Sequence, residues 1–326
     1  VAHNLREHDS MLAVGETPWH NLGVTLAEPP SSGEEALRIA KMDWQVAREP
    51  LFLANGMRAV VSGSVSRQND GQYAMMVRQD TQDKLGVVGP SYVPYQNSQM
   101  AELFNPLIQD GSVSIETCGS LFNGRRVWML AKFGGENMEI EKGDDIARYL
   151  LLAHGHDGCF AVRFGICPVR VVCWNTLSAA VGGESESKLI RCLHTTNLES
   201  NLELIRGAMV LADETFQFTA EQYRLLASRG VSRADLREYA RIIVKAPAEE
   251  KDWTSGERSK IGTIIGAAVE GCGNNGRTWW SGYNGVTEYL TWNRCKKVDN
   301  RLDSLWFGDS AKVSQRALEL ALQMSA

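Results

Sequence analysis

Imidazole, thiolate and carboxylate groups gather around one short stretch of this sequence. His154, His156 and Asp157 sit together with Cys159, and Cys167, Cys173, Cys192 and His194 follow. Such groups bind transition metals. His154, His156, Asp157 and His194 are therefore a candidate metal set, as in a metal-dependent nuclease or nucleotide-processing enzyme. Their spacings match no standard zinc module, and Asp157-Gly158 serves equally well as a tight turn. Cys173 and His194 pair a nucleophile with a base, but nothing in the sequence orients the histidine, and free cysteines usually pack as small hydrophobes. The segment from Gly271 to Gly276 matches G-x-G-x-x-G. It follows the helix-like run IGTIIGAAVE rather than a strand, which is the wrong context for a dinucleotide site. No Walker A motif occurs. No catalytic residue and no cofactor is assigned on these grounds.

A second constellation is basic and aromatic. In RRVWMLAKF, strand alternation places Arg126, Trp128, Leu130 and Lys132 on one face and Val127, Met129, Ala131 and Phe133 on the other. In CFAVRFGI, Phe160, Val162, Phe164 and Ile166 point one way and Arg163 the other. Arg67 and Arg78 end earlier strands, and Arg170 and Trp174 share a parity in PVRVVCWNT. Cations that hold phosphates beside an indole that stacks a base suit single-stranded nucleic acid. The competing reading is a solvated sheet face with Trp128 under a second layer. The stretch from Arg277 to Arg301 is aromatic first and basic later. Its aromatics read mainly as helix packing, and Lys296 and Lys297 as the contact point.

The chain has 326 residues, 44% hydrophobic and 22% charged, enough for one large domain or two smaller ones with a packed core. A formal net charge of -5 excludes a protein that coats duplex DNA by bulk charge, so any nucleic-acid contact must be local. Seven cysteines without a C-x-x-C pair fit a reducing cytoplasm. The first residues show no apolar signal-peptide core, and no long apolar run suggests a membrane span.

The elements that must position these groups fall into two textures. An irregular arm (1–40) ends in a short helix from Gly33 to Lys41. A β-rich core (41–190) carries turn signals at Asn55-Gly56, Asn69-Asp70-Gly71, Asn123-Gly124 and Asp157-Gly158. Helices interrupt it at Ser98–Ile108, with Ser98 as N-cap, and near Asn175. Beyond it the period becomes helical. A capping box at Thr196-x-x-Glu199 and helix starts at Thr219-x-x-Gln222 and Ser232-x-x-Asp235 mark a helical region (191–246). A linker (247–257) precedes a last helical region (258–326), broken at Gly271–Gly276 and at Phe307-Gly308-Asp309. The fold class is α+β, an antiparallel sheet in strands-then-helix units followed by helices.

Several motifs in fixed order resemble one family. They are VGETPWHNLG near the start, GPSYVPYQNSQ, ETCGSLFNGRRVWMLAKF, HDG, PVRVVCWNTL, HTTN, GVTEYL and DNRLDSLWFG. On them the chain is identified as a member of the phage/plasmid-like protein family, a domain of unknown function carried by prophages, phages and plasmids. Strand-rich units followed by helices also resemble Rad52-type single-strand annealing proteins. That resemblance implies ATP-independent pairing of single-stranded DNA by a ring or filament of identical subunits, with a phage exonuclease as partner. The expected contacts are Arg67, Arg78, Arg126, Trp128, Lys132, Arg163, Arg170, Trp174, Lys296 and Lys297. The alternatives are the metal-dependent enzyme above and an interaction protein acting against host defence.

Overall fold

The computed structural model describes residues 6–15, 23–51, 73–170, 175–176, 190–192, 216–294, 304–305 and 308–326. Its strands are β1 (Met11–Val14), β2 (Val24–Leu26), β3 (Val46–Pro50), β4 (Ala74–Arg78), β5 (Lys84–Val88), β6 (Val113–Leu121) and β7 (Arg126–Phe133). They continue with β8 (Met138–Glu141), β9 (Asp144–Gly155), β10 (Val162–Arg170), β11 (Asn175–Thr176) and β12 (Ile190–Cys192). The helices are α1 (Gly33–Ile39), α2 (Asn97–Gln109), α3 (216–228), α4 (Arg233–Val244), α5 (Ser255–Glu270), α6 (Trp279–Glu288) and α7 (Asp309–Ser325). The architecture is mixed α+β, with mostly antiparallel strands and a helical C-terminal region.

The chain divides into two compact units. The first comprises Val1–Gly134, Leu150–Gly165 and Leu189–Ala208. Its larger sheet runs β2-β1-β6-β7 and onward to the parts of β9 and β10 that belong to this unit, with β12 on β10. The hairpin β6–β7 has Val113 opposite Phe133 and Leu121 opposite Arg126, with a bulge between Ile115 and Thr117. A smaller antiparallel sheet, β3-β4-β5, leads directly into α2. Helices α1 and α2 pack on each other and on β6. Ser32 caps α1 by accepting from the Glu35 backbone N–H.

The middle of this sheet is dry on both sides. Residues 127–131 of β7 and 150–155 of β9 are buried without interruption. Period-two alternation names an outward face only where one side meets water, and here neither does.

The second unit comprises Gly135–Tyr149, Ile166–Lys188 and Met209–Ala326. Its core gathers Tyr223, Tyr239, Trp279, Trp280 and Tyr283 from α3, α4 and α6. Trp280 is fully buried, and its indole N–H donates to the Asp144 carboxylate at 2.7 Å. Helix α6 is buried on every side from Trp279 to Thr287, then loosens into a π-helical turn over Tyr289–Arg294. Trp292 in that turn is 44% exposed. The aromatics of Arg277–Arg301 that are described are thus mainly core.

Several expectations change. The N-terminal arm is not irregular throughout, since β1 pairs with both β2 and β6. Gln96, not Ser98, caps α2, exchanging hydrogen bonds with Gln99. At Asn175 the chain is a strand, not a helix start, because Asn175 and Thr176 pair with Arg170 and Val169. The Asn55-Gly56 and Asn69-Asp70-Gly71 turns and the Thr196 capping box lie outside the described residues. The helix start at Ser232, which forms a capping box with Asp235, and the end of α4 at Val244 are found as expected, whereas Thr219 lies inside α3 rather than at its start.

Helices α5 and α6 hold glycines of two kinds. A Cβ on Gly285 would lie 2.6 Å from the Ile264 carbonyl oxygen and 2.8 Å from Ala268 Cβ, so α5 and α6 touch only because it is bare. A Cβ on Gly262 or Gly266 would meet nothing within 4 Å among the described residues. We expect Gly285→Ala to destabilise the protein by about 1–3 kcal/mol through overpacking. Gly262→Ala and Gly266→Ala should each stabilise it by about 0.5–1 kcal/mol through helix propensity. Urea denaturation of the three variants measures this, and the same sign at all three positions would contradict it.

Burial also sorts the thiols. It pushes Cys167 up to about 12 and Cys118 higher still, while Cys159 and Cys272 are exposed. Iodoacetamide labelling of the native protein at mildly alkaline pH, read by peptide mass spectrometry, should modify Cys159 and Cys272 and spare Cys118 and Cys167. Equal labelling of all four would contradict the packing.

Candidate nucleic-acid interface

Two of the expected cations come together in the first unit. Arg126 opens β7 immediately after the tight turn at Phe122–Arg125, where Phe122, Asn123 and Gly124 all have positive φ. Arg163 lies near the start of β10. Both guanidinium groups rest against the ring of Phe160, at 4.8 Å for Arg126 and 4.7 Å for Arg163. Two cations on one ring lie within a Debye length of each other, about 10 Å at ordinary salt.

The surroundings fix this pair. Arg126 Nη1 lies 2.6 Å from the Asp157 carboxylate and also donates to the Arg125 carbonyl at 3.0 Å. The other Asp157 oxygen accepts from the Cys159 backbone N–H at 2.9 Å, holding the turn that Gly158 completes with φ +75. A Cβ on Gly155 would come within 2.8 Å of Arg126 Nη1 and 2.7 Å of Phe160 Cβ, so the guanidinium crosses β9 only over a bare backbone. The Tyr92 hydroxyl donates to the Gly155 carbonyl at 3.0 Å. Burial above all, with Asp157 adding to it, pushes the Tyr92 phenol well above its ordinary range, so it stays a donor at neutral pH.

The corner extends outward. Arg125 is exposed and donates to the Lys84 carbonyl at 3.4 Å, and Lys84 opens β5 as a second exposed cation. Val87 on β5 is 53% exposed, and Tyr73, just before β4, is 55% exposed. Arg126 pairs with Asp157 and shares Phe160 with Arg163, while Arg125 and Lys84 are exposed cations joined through the Lys84 carbonyl. Sequence reasoning missed Lys84 and Arg125. The NGRR turn signalled Arg125, whereas β5 is too short and too mixed to announce itself.

The other expected residues divide. Arg78 is buried, not presented to solvent. Its guanidinium lies 4.4 Å over Trp44, pairs with Asp80 at 2.8 Å and donates to the His8 carbonyl. Trp128 is 3% exposed, opposite Gly119, in the doubly covered part of β7, so it is core and cannot stack a base. Lys132 sits at the far end of β7, about 20 Å along the strand from Arg126. Its neighbour Glu116 is pushed up by burial, which Lys132 partly offsets. Arg170 ends β10 opposite Asn175. Arg67, Trp174, Lys296, Lys297 and His194 lie outside the described residues.

The histidines are internal. His154 and His156 are fully buried, with ring centroids 4.7 Å apart. His156 Nε2 is 3.1 Å from Asn97 Oδ1, and its ring meets Trp44 edge-on, while His154 meets Tyr95. Asp157 turns the other way, to Arg126. Among the described residues no three His, Cys, Asp or Glu side chains converge as metal ligands.

A family model described as a domain of unknown function (DUF932) matches residues 84–306, which begins at Lys84 and includes the whole basic corner. The chain belongs to that family. No curated protein and no solved structure matches the chain. Among the described residues no helix is long and apolar enough to cross a membrane.

The Arg126–Asp157 pair is four-fifths buried or more on both sides. Removing Asp157 takes the carboxylate from the Arg126 guanidinium and the acceptor from the Cys159 N–H of the turn. Asp157→Ala should cost about 1–3 kcal/mol, and a double-mutant cycle with Arg126→Ala should show a coupling of about 1 kcal/mol or more. Additive losses would mean that the pair does not hold the turn.

Proposed function

We propose that this chain holds single-stranded nucleic acid on the corner formed by Lys84, Arg125, Arg126 and Arg163, and that it anneals complementary DNA strands without ATP. The observation that carries the reading is the convergence of Arg126 and Arg163 on Phe160. Guanidinium groups held on a rigid support bind phosphate oxygens in a fixed fork. Tyr73 and Val87 beside them offer surface to unpaired bases. The overall negative charge agrees with a local contact that selects a strand rather than a bulk attraction to duplex.

The annealing step draws on two further points. The order β3-β4-β5-α2 is a strands-then-helix unit of the kind found in Rad52-type proteins. The motif set resembles that of phage and plasmid proteins, and in this reading recombination without ATP serves a mobile element. In this reading the chain works as a homo-oligomeric ring or filament and hands strands on from an exonuclease.

Anisotropy of labelled oligothymidine against salt tests the binding. Arg126→Ala combined with Arg163→Ala should weaken binding and lower the log–log salt slope by about 1.4, since each single-strand phosphate contact contributes about 0.7. Lys132→Ala should leave the slope unchanged, and paired Lys substitutions at 126 and 163 should largely restore it. An unaltered slope in the double alanine variant removes the corner from the interface. Electron microscopy with oligonucleotide reads assembly separately: a lasting monomer removes annealing while leaving binding intact.

A further inference from the structure

The second unit carries an open groove of about 1000 Å³ between α4, α5 and the segment joining them. One wall is mainly cationic: three arginines line the groove against two carboxylates, Glu250 and Glu270. The Arg237 and Arg258 guanidiniums lie 5.3 and 5.8 Å from the Trp253 ring, and both pair with Glu250. Their side chains are 48% and 44% exposed, so water reaches them. Arg233, exposed in the first turn of α4, lines the groove as a third guanidinium. Each guanidinium carries five N–H donors, far more than the one Glu250 carboxylate accepts. The stacked indole keeps Arg237 and Arg258 in place as a ready receptor for further carboxylates.

The floor is apolar and bare. Gly262 and Gly266 stand one helical turn apart on α5 with open space above them. Ile265 and Val269 flank them, and Val269 is 45% exposed. Glycine in a helix interior lowers stability, and Gly285 shows what an internal reason looks like, since its missing Cβ lets α5 touch α6. Among the described residues no such neighbour stands over Gly262 or Gly266. Their bareness opens the groove to close approach from outside.

An inorganic anion would use the wall and leave the floor empty. A phosphate–sugar backbone has no use for an apolar floor. A peptide segment with carboxylates on one edge and small apolar side chains beside them uses both. We propose that this groove docks an acidic, amphipathic helical segment of a partner protein, its apolar stripe on Gly262 and Gly266 and its carboxylates on Arg233, Arg237 and Arg258. Helix-in-groove recognition of this kind reads side chains one turn apart, as the glycine spacing does. The inference stands apart from the nucleic-acid reading, which rests on the other unit.

The test uses the full chain and a fluorescein-labelled peptide of three Glu-Ala-Ala-Leu-Glu repeats, followed by anisotropy. We expect saturable binding that weakens with added salt and at least a tenfold loss in the Gly262→Leu plus Gly266→Leu variant. That variant should melt no lower than the parent, because leucine is the better helix former and its Cβ meets open space among the described residues. Arg233→Ala should also weaken binding, and the matching Lys-Ala-Ala-Leu-Lys peptide should not bind. No saturable binding of the acidic peptide, or equal binding to the leucine variant, would overturn the proposal. Displacement of the peptide by oligothymidine would also overturn it, since the groove would then belong to nucleic acid.

Discussion

Two guanidinium groups share one phenyl ring, and the geometry of the basic corner follows from how their repulsion is offset. At about 10 Å and an effective dielectric of about 20, like unit charges repel by about 1–2 kcal/mol. The negative face of Phe160 offsets part of this, and Asp157 offsets part for Arg126. Each requirement reaches back into the fold. Phe160 is itself buried, so the ring cannot swing away. Asp157 is held by its own turn, and Gly155 stays bare so that Arg126 can cross. An incoming phosphate adds a further negative charge where cations are already fixed, at little cost in side-chain ordering.

The buried histidines serve the same constraint from behind. His154 and His156 fall on one side of β9, and Gly155 and Asp157 on the other. The imidazoles pack with Trp44 and Tyr95 and meet Asn97, whose amide donates to the Met42 carbonyl. That network leads directly into the HDG turn, where Asp157 meets Arg126. Residues that look like metal chemistry in the sequence act here as internal support.

What the sequence disclosed, and what it hid, follows from burial. Turn chemistry at Asn123-Gly124 and Asp157-Gly158 was legible because Asn123, Gly124 and Gly158 take positive φ, which those residue types tolerate. The Ser232 capping box was legible because side chain and backbone satisfy each other locally. Arg126 and Arg163 were legible as cations of this sheet, but not the burial of Arg126 nor their meeting on Phe160, which depends on β9 lying beside β7 and β10. Trp128 was misplaced because alternation cannot tell a wet face from one covered by a second layer. Arg78 was misplaced because an arginine stacked on Trp44 and paired with Asp80 reads, in sequence, like any solvated strand end. The strands of the N-terminal arm were hidden because β1 and β2 are short and gain their stability from β6 and each other. In the second unit helical period was a sound guide, yet α6 is buried all round, a property that no single stripe reveals.

The central claim is that an unpaired strand lies on this corner. Ultraviolet cross-linking of the full chain to oligothymidine, with peptide mass spectrometry of the adducts, tests it most directly. The account predicts adducts concentrated in the peptides holding Tyr73, Tyr92 and Cys159–Arg163, and their loss at high salt. Adducts confined to other parts of the chain, or none at saturating oligonucleotide, would contradict it.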